Sequence, residues 1–220
     1  MGAETVLKAD NLKRYYDVKG GMFSKGGTVK ALDGATFKII TDPLSAYTAM
    51  MAGDIDTFPN YPAPENLILF DRDPNFEVIV GLTAGETILS TNNKKAPFDN
   101  ILVRKAMAHA INRTELIDGA MFGNAAPIGT HFAPTHPDYV DLTAVYPFDL
   151  TKARALLKEA GLEDGFTASL KLPPPIYARR TGELIASQLG KIGIKVEIEN
   201  MEWAQWIDQV LRNRNYDLTR

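Results

Sequence analysis

Residues Thr167–Ile198 read TASLKLPPPIYARRTGELIASQLGKIGIKVEI. Thr167–Leu172 is a short apolar-rich run that predicts a strand. Pro173-Pro174-Pro175 closes it, because proline cannot donate to a ladder. Tyr177–Ile192 then predicts a long helix, and Ile194–Ile198 a second strand. Strand, helix and strand in this order are the working unit of an α/β protein.

The same alternation extends outward on both sides. Downstream, Trp203–Leu211 predicts a helix and Tyr216–Thr219 a strand. Upstream, Asp149–Ala160 predicts a helix with Asp149 as its cap and Gly161 as its stop. Val103–Ile111 is the clearest amphipathic helix, with Val103, Met107, Ala110 and Ile111 on one face. Arg113–Phe122 predicts another, ending near Gly123. Between them and residue 148, Asn124–Pro147 is a long loop rich in Pro and His, of the length that a covering flap or functional loop has. Phe76–Val80 and Thr87–Thr91 predict strands, Pro64–Phe70 a helix and Ile55–Phe58 a short strand. Asp42-Pro43 starts a helix through Ala46, Met50 and Met51 that stops at Gly53. Ala35–Ile40 predicts a strand before it. The chain from residue 35 onward is thus expected to be an α/β domain with helices packed on a mixed sheet. Ahead of it, Thr5–Leu12 predicts a strand, and the four glycines in Lys19–Gly27 predict a flexible turn.

The composition narrows the function classes. In 220 residues, 45% are hydrophobic and 23% charged, as in ordinary globular proteins. No cysteine is present, which removes disulfides, thiolate metal sites and thiol nucleophiles. A net charge of −3 leaves no basic footprint for nucleic acid. The longest apolar runs fall far short of the roughly 20 residues that span a bilayer. MGAETVLKAD lacks the basic start and apolar core of a signal peptide, so the chain expressed as written is expected to stay in the cytoplasm.

Motifs for catalysis are missing. There is no G-x-S-x-G, H-E-x-x-H or C-x-x-C, and GGMFSKGG lacks the spacing of a phosphate loop. His109 lies inside an amphipathic helix, where a structural role is expected. His131 and His136 are five apart in a proline-broken loop near Asp138, without a third ligand in defined geometry. Asp54 and Asp56 fit a solvated turn, and Asp99, Glu115, Asp118 and Asp149 fit caps or surface. No catalytic residue, metal or cofactor is expected.

Two features point to ligand binding. Arg179 and Arg180 follow the triple proline at the start of a helix, where a guanidinium can meet a carboxylate. Alternatively, one is solvated and the other pairs with Glu183. Trp203 and Trp206 lie three apart on a short helix and can line a cleft for peptide or sugar, or at least one of them belongs to the core.

Longer motifs carry a resemblance. AYTAMMAGDIDTFPN (Ala46–Asn60), STNNKKAPFDNILVRKAMAHAINRTELIDGAMFG (Ser90–Gly123), YPFDLTKARALLKEAG (Tyr146–Gly161), LGKIGIKVEIENMEWAQWIDQV (Leu189–Val210) and the terminal YDLT follow one another in order. Together they resemble the extracellular solute-binding proteins of family 5, which serve peptide and nickel ABC importers. The resemblance covers about four-fifths of the chain. It implies a periplasmic binding protein type II-like lobe, incomplete, over residues 35–220, and a periplasmic or extracellular setting. It implies a non-catalytic role, with a small peptide or oligosaccharide-like solute and an ABC importer permease as partners. By position, Arg179 or Arg180 corresponds to the arginine that dipeptide-binding members use for the ligand carboxylate. Asn92, Asn93, His131 and Trp203 fall in segments that face the cleft in the family. The family's first lobe, and the acidic residue that meets a peptide's amino end after YDLT, are expected to lie outside this chain. One lobe alone cannot bury the usual share of a ligand, about 70–90%, so weak binding is expected, and exposed lobe surface invites homo-oligomers.

Residues 6–39 resemble something different, the opening of the ATP-binding subunit of oligopeptide ABC importers. There an aromatic near Tyr15 or Tyr16 would stack on adenine. The phosphate loop, signature motif and catalytic carboxylate of that subunit do not follow, so an ATP-binding role is the disfavoured alternative. The expected organisation is a segment over residues 1–34, a strand plus a glycine-rich tether, and the partial binding lobe over 35–220. The join falls within residues 28–39.

Overall fold

The structure is a computed structural model that describes residues 7–18, 27–40 and 42–220, with side chains for 36–40 and 42–220. The chain divides into two compact units, Met1–Asn66 and Leu67–Arg220.

In the first unit β1 (Leu7–Val18) and β2 (Gly27–Phe37) pair antiparallel, from Leu7 opposite Phe37 to Val18 opposite Gly27. β1 runs further than the strand expected over Thr5–Leu12, whose first two residues lie outside the described ones, because β2 supplies ladder partners for Leu7–Ala9 and again for Lys13–Val18, with a register shift between them. Residues 19–26, most of the expected glycine turn, lie outside the described residues. Of the expected strand Ala35–Ile40, Ala35–Phe37 is the end of β2 and residues 38–40 lie beyond it, so residues 34 and 35 share one strand. Helix α1 (Pro43–Met51) forms as its caps dictate. Asp42 Oδ1 accepts from the Ser45 amide at 2.7 Å, and hydrogen bonding from the Ser45 hydroxyl first and its amide second holds the Asp42 carboxyl below its ordinary range. Gly53, at φ 73°, ends the turn in the left-handed region that glycine adopts freely. Among the described residues Ile55–Phe58 finds no ladder partner. Instead Phe58 meets Tyr61 edge-on at 5.4 Å. Pro64–Asn66 is a single 3₁₀ turn.

The second unit begins with α2 (Leu67–Asp71), so the helix expected over Pro64–Phe70 is a 3₁₀ turn running into a short α-helix. Only Ser90–Thr91 of the two expected strands that follow joins a sheet, as β3. Phe76–Val80 has strand-forming residues, but among the described residues it finds no ladder partner. Ile79, Val80 and Leu82 are left 82%, 61% and 54% exposed.

Helices α3 (Ile101–Ala110), α4 (Arg113–Met121) and α5 (Leu150–Glu159) follow. Asn100, Asn112 and Asp149 cap them through side-chain oxygens that accept from Leu102, Glu115 and Lys152 amides. Phe122, at φ 53°, and Gly123, at φ 79°, turn the chain out of α4. The loop after α4 is tied back at its end. His109 Nδ1–H donates to Pro147 O at 2.7 Å, the Asp149 amide donates to His109 O, and Tyr146 meets the His109 ring edge-on. The structural role expected for His109 is thus an anchor for the loop.

The remaining elements are β4 (Phe166–Leu172), α6 (Ile176–Gly190), β5 (Ile194–Asn200), α7 (Trp203–Trp206) and β6 (Leu218–Thr219). Between α7 and β6, Ile207–Arg212 is wound as a π-helix, so the single helix expected over Trp203–Leu211 changes winding midway. The sheet order is β3-β6-β4-β5. β4 runs parallel to both β5 and β6, and β3 runs antiparallel to β6, which makes the sheet mixed as expected. Where β4 and β5 begin, Gly165 and Gly193 touch backbone to backbone. A Cβ on Gly165 would lie 1.9 Å from Gly193 O.

The core lies between the sheet and α3, α5 and α6. Phe98, Leu157, Leu170, Leu172, Leu189, Ile194 and Leu218 are its largest fully buried apolar side chains. The strand–helix–strand unit therefore sits in the middle of the core. Buried Gln188 ties α6 to the start of α4. Its Oε1 accepts from the Asn112 amide at 3.0 Å and its Nε2 donates to Glu115 Oε2 at 3.0 Å.

Candidate functional site

Three parallel strands end on one side of the sheet, at Leu172, Asn200 and Thr219. Open α/β sheets bind ligands outside the carboxyl ends of their strands. Here that edge carries Pro173–Pro175, the first turn of α6, the chain from Met201 into α7, and Arg220. The Met201 amide donates to Leu172 O at 2.9 Å and folds the exit from β5 across the end of β4.

Aromatic surface gathers at this edge. Trp203 is 49% exposed and meets Trp206 edge-on, with centroids 5.9 Å apart and planes at 89°. Trp206 is held by its indole, whose Nε1–H donates to Thr219 Oγ1 at 3.0 Å. One ring is thus anchored against the sheet and only partly buried, so neither tryptophan belongs to the core, and the other is open to solvent. Tyr177, 41% exposed, stands in the first turn of α6. Arg220 packs its guanidinium 5.5 Å from the Tyr177 ring centroid and donates from Nη1 to Tyr177 O at 3.2 Å.

The electrostatics of Arg220 are unusual. Burial pulls its guanidinium down to about 10, and the Tyr177 side chain partly opposes this. It remains a cation at neutral pH, but one partly shielded from water. Among the described residues it forms no ion pair. A desolvated guanidinium with free N–H groups beside aromatic faces is suited to a carboxylate attached to an apolar body.

The expected ligand residues distribute unevenly. Arg179 is exposed in the first turn of α6. Arg180, its neighbour, turns toward α4 and places its guanidinium 5.4 Å from the Phe122 ring centroid. Trp203 is at the carboxyl edge, with Tyr177 and Arg220. Asn92 and Asn93 follow β3, which runs antiparallel and carries them away from that edge. Asn92 Nδ2 donates to Arg214 O and Tyr216 O at 3.1 and 3.0 Å, and its amide donates to Asp217 O. Asn93 Oδ1 accepts from Thr91 Oγ1 at 2.6 Å. His131 is exposed on the long loop. On that same loop His136 stacks on Phe132 at 4.4 Å and accepts at Nδ1 from the Asp138 amide.

Residues that sequence reasoning did not single out support the edge from behind. Asp217 is partly buried against β4, where Oδ2 accepts from Ser169 N at 2.9 Å and Oγ at 3.0 Å, and Oδ1 pairs with Lys95 Nζ at 2.5 Å. Burial pushes its carboxyl up, but Lys95 and Ser169 together outweigh it and hold the pKa below the ordinary value. Lys171, 6% exposed, donates to Gln209 Oε1 at 2.6 Å and Asn215 O at 2.7 Å. One signal for Arg220 existed in the sequence, a cation immediately after the apolar end of a predicted strand.

Known proteins can now be compared with this geometry. The profile of the family described as bacterial extracellular solute-binding proteins, family 5 middle, matches residues 2–220. It takes in the segment that resembles an ATP-binding subunit, and an ATP-binding role finds no support. The dipeptide-binding protein of Escherichia coli is 31% identical over 188 residues, 82% of this chain and 35% of that protein. A glutathione-binding protein of Salmonella choleraesuis is 33% identical over 176 residues, 79% of this chain and 34% of that protein. Among solved structures, the A. tumefaciens binding protein AgaA with agropinic acid superposes with a TM-score of 0.72 at 30% identity, covering 86% of this chain and 38% of that one. The Helicobacter pylori periplasmic binding protein DppA with the peptide STSA gives 0.71 at 27% identity, covering 94% and 41%. The chain spans about a third of the length of its curated relatives. Sequence match and superposition agree, and the chain belongs to the bacterial extracellular solute-binding proteins, family 5.

Proposed function

We propose that this chain forms one wall of the solute site in a binding protein that delivers short peptides to an ABC importer permease, and that it recognises its ligand without transforming it. The carrying observation is Arg220, a desolvated guanidinium with no ion-pair partner among the described residues, set against Tyr177 and next in the chain to the residue that holds Trp206. A peptide's terminal carboxylate satisfies the guanidinium, and its apolar side chains suit the rings. An oligosaccharide offers no carboxylate, so the edge favours peptide. The dipeptide-binding and peptide-bound relatives support the same class. Arg179 and Trp203 are proposed to face this ligand. Arg180, Asn92, Asn93 and His131 rest on the family resemblance alone. A periplasmic or extracellular setting goes with this reading. So does the organisation into residues 1–34 and 35–220, which is proposed from the sequence alone.

Calorimetric titration with Met-Leu and with its C-terminal amide tests the reading. A hydrogen bond to a charged group contributes roughly 1.5–3 kcal/mol, so the free acid is expected to bind about ten- to a hundredfold more tightly. Equal behaviour of the two forms, including no heat from either, would overturn it.

The exposed segment at Ile79, Val80 and Leu82 favours a second reading, self-association of the isolated chain by strand pairing. Sedimentation that stays monomeric at high concentration would sink that reading.

A further inference from the structure

We propose that Thr219 is a positioning residue for the aromatic wall, fixing Trp206 and through it the exposed ring of Trp203. The inference rests on the reading of this edge as the ligand site.

The observation is a relay with one hydroxyl at its centre. Trp206 Nε1–H donates to Thr219 Oγ1 at 3.0 Å, and Thr219 Oγ1–H donates to Lys171 O at 2.8 Å. The hydroxyl is 48 residues from Lys171 and 13 from Trp206, so it joins α7 to the central strand. A single atom that both accepts and donates at this reach is a property of Ser and Thr. Thr219 is 5% exposed, and water cannot readily replace it. The indole has one donor and no alternative acceptor of its own, so the bond selects one ring orientation.

The orientation passes to Trp203 by contact. The two rings stand at 89°, an edge-to-face arrangement that depends on where the Trp206 face points. The far side of the relay is held as well. Lys171 Nζ reaches Gln209 Oε1 in the π-helix and Asn215 O beyond it, so both ends of the segment from α7 to β6 are tied to one residue of β4. π-helical turns are uncommon and recur at functional sites. Here the turn carries Gln209, which meets the Lys171 ammonium.

The test uses the whole chain labelled with nitrogen-15, in which the two tryptophans give two indole N–H signals. Thr219→Val keeps the shape and removes the hydroxyl. The Trp206 indole is expected to lose hydrogen-exchange protection about fivefold or more, the value of one net hydrogen bond, and the Trp203 signal is expected to shift with it. Thr219→Ser should restore both. Trp206→Phe, which removes the donor but keeps an aromatic face, should shift Trp203 in the same way and serves if the valine variant does not fold. Indole signals unchanged by these substitutions would overturn the positioning role. Altered indoles with an unchanged response to Met-Leu would instead overturn the reading of this edge as the ligand site. Altered indoles with about fivefold weaker Met-Leu binding would support both.

Discussion

Asp217→Asn separates charge from shape at the clamp behind the binding edge. The substitution keeps one oxygen, which can still accept from Ser169, and removes the charge that pairs with Lys95. Lys95 is half exposed, so the ion pair itself is worth less than about 1 kcal/mol. The two Ser169 bonds fall from charge-assisted to neutral strength, and the amide brings a donor into a partly buried site lined by donors. Together these predict a loss of about 2 kcal/mol at pH 7, a fall of about 4–8 °C in Tm for a protein of this size. The pH dependence carries the sharper test. The native carboxyl of Asp217 titrates below its unfolded value, because Lys95 and Ser169 outweigh burial. Its contribution is therefore fully present above the unfolded carboxylate pKa and is lost as pH falls through the native one. Urea unfolding of wild type and Asp217→Asn, compared from pH 7 to pH 3, should show two curves that converge on acidification. A gap that stays constant across that range would refute the assignment of the stability to an ionised Asp217. The clamp bears on the proposed ligand edge because the chain runs from Asp217 through β6 directly into Arg220.

Two further outcomes follow from named contacts. Arg220→Gln should abolish the preference for free acid over amide while leaving the fold intact. Its structural contacts are one bond to Tyr177 O and one ring face, so a melting temperature within a few degrees of wild type is expected alongside the lost selectivity. Gly165→Ala should cost at least about 2 kcal/mol in urea unfolding, because its φ is 78° and its Cβ would meet Gly193 O at 1.9 Å. Gly161→Ala, at φ 75° with open space around it, should cost only about 1 kcal/mol, and equal losses would refute the close approach of β4 and β5.

Much of the helical structure was legible residue by residue. Asp42, Asp149, Gly53 and Gly161 mark helix ends through chemistry within a few residues of each, and the structure places caps and left-handed turns there. The stripe of Val103, Met107 and Ala110 is buried as its spacing implies, with Ile111 packed at its margin. Phe76–Val80 was misleading because strand propensity describes a pleated surface awaiting neighbours, and among the described residues none pairs with it. The π-winding after Trp206 was not legible, since no local rule distinguishes it from continued α-helix. The ligand residues suffered most. Asn92 and Asn93 carry suitable groups, but the antiparallel direction of β3 turns Asn92 to the carbonyls of Arg214 and Tyr216.

By itself, then, the amino-acid sequence determined the α/β class, the strand–helix–strand centre, most helix ends and, through its long motifs, the family. These are set by side-chain spacing and by bonds between near neighbours, which a linear chain displays directly. Only the tertiary structure decided which residues gather at the carboxyl edge of the sheet. Arg220 reaches Tyr177 across 43 residues and Asn92 reaches Tyr216 across 124. Whether a guanidinium ends solvated or partly shielded from water, and whether an asparagine faces solvent or backbone, depends on which distant strands lie side by side. That arrangement is a property of the packed sheet and of no local stretch of chain.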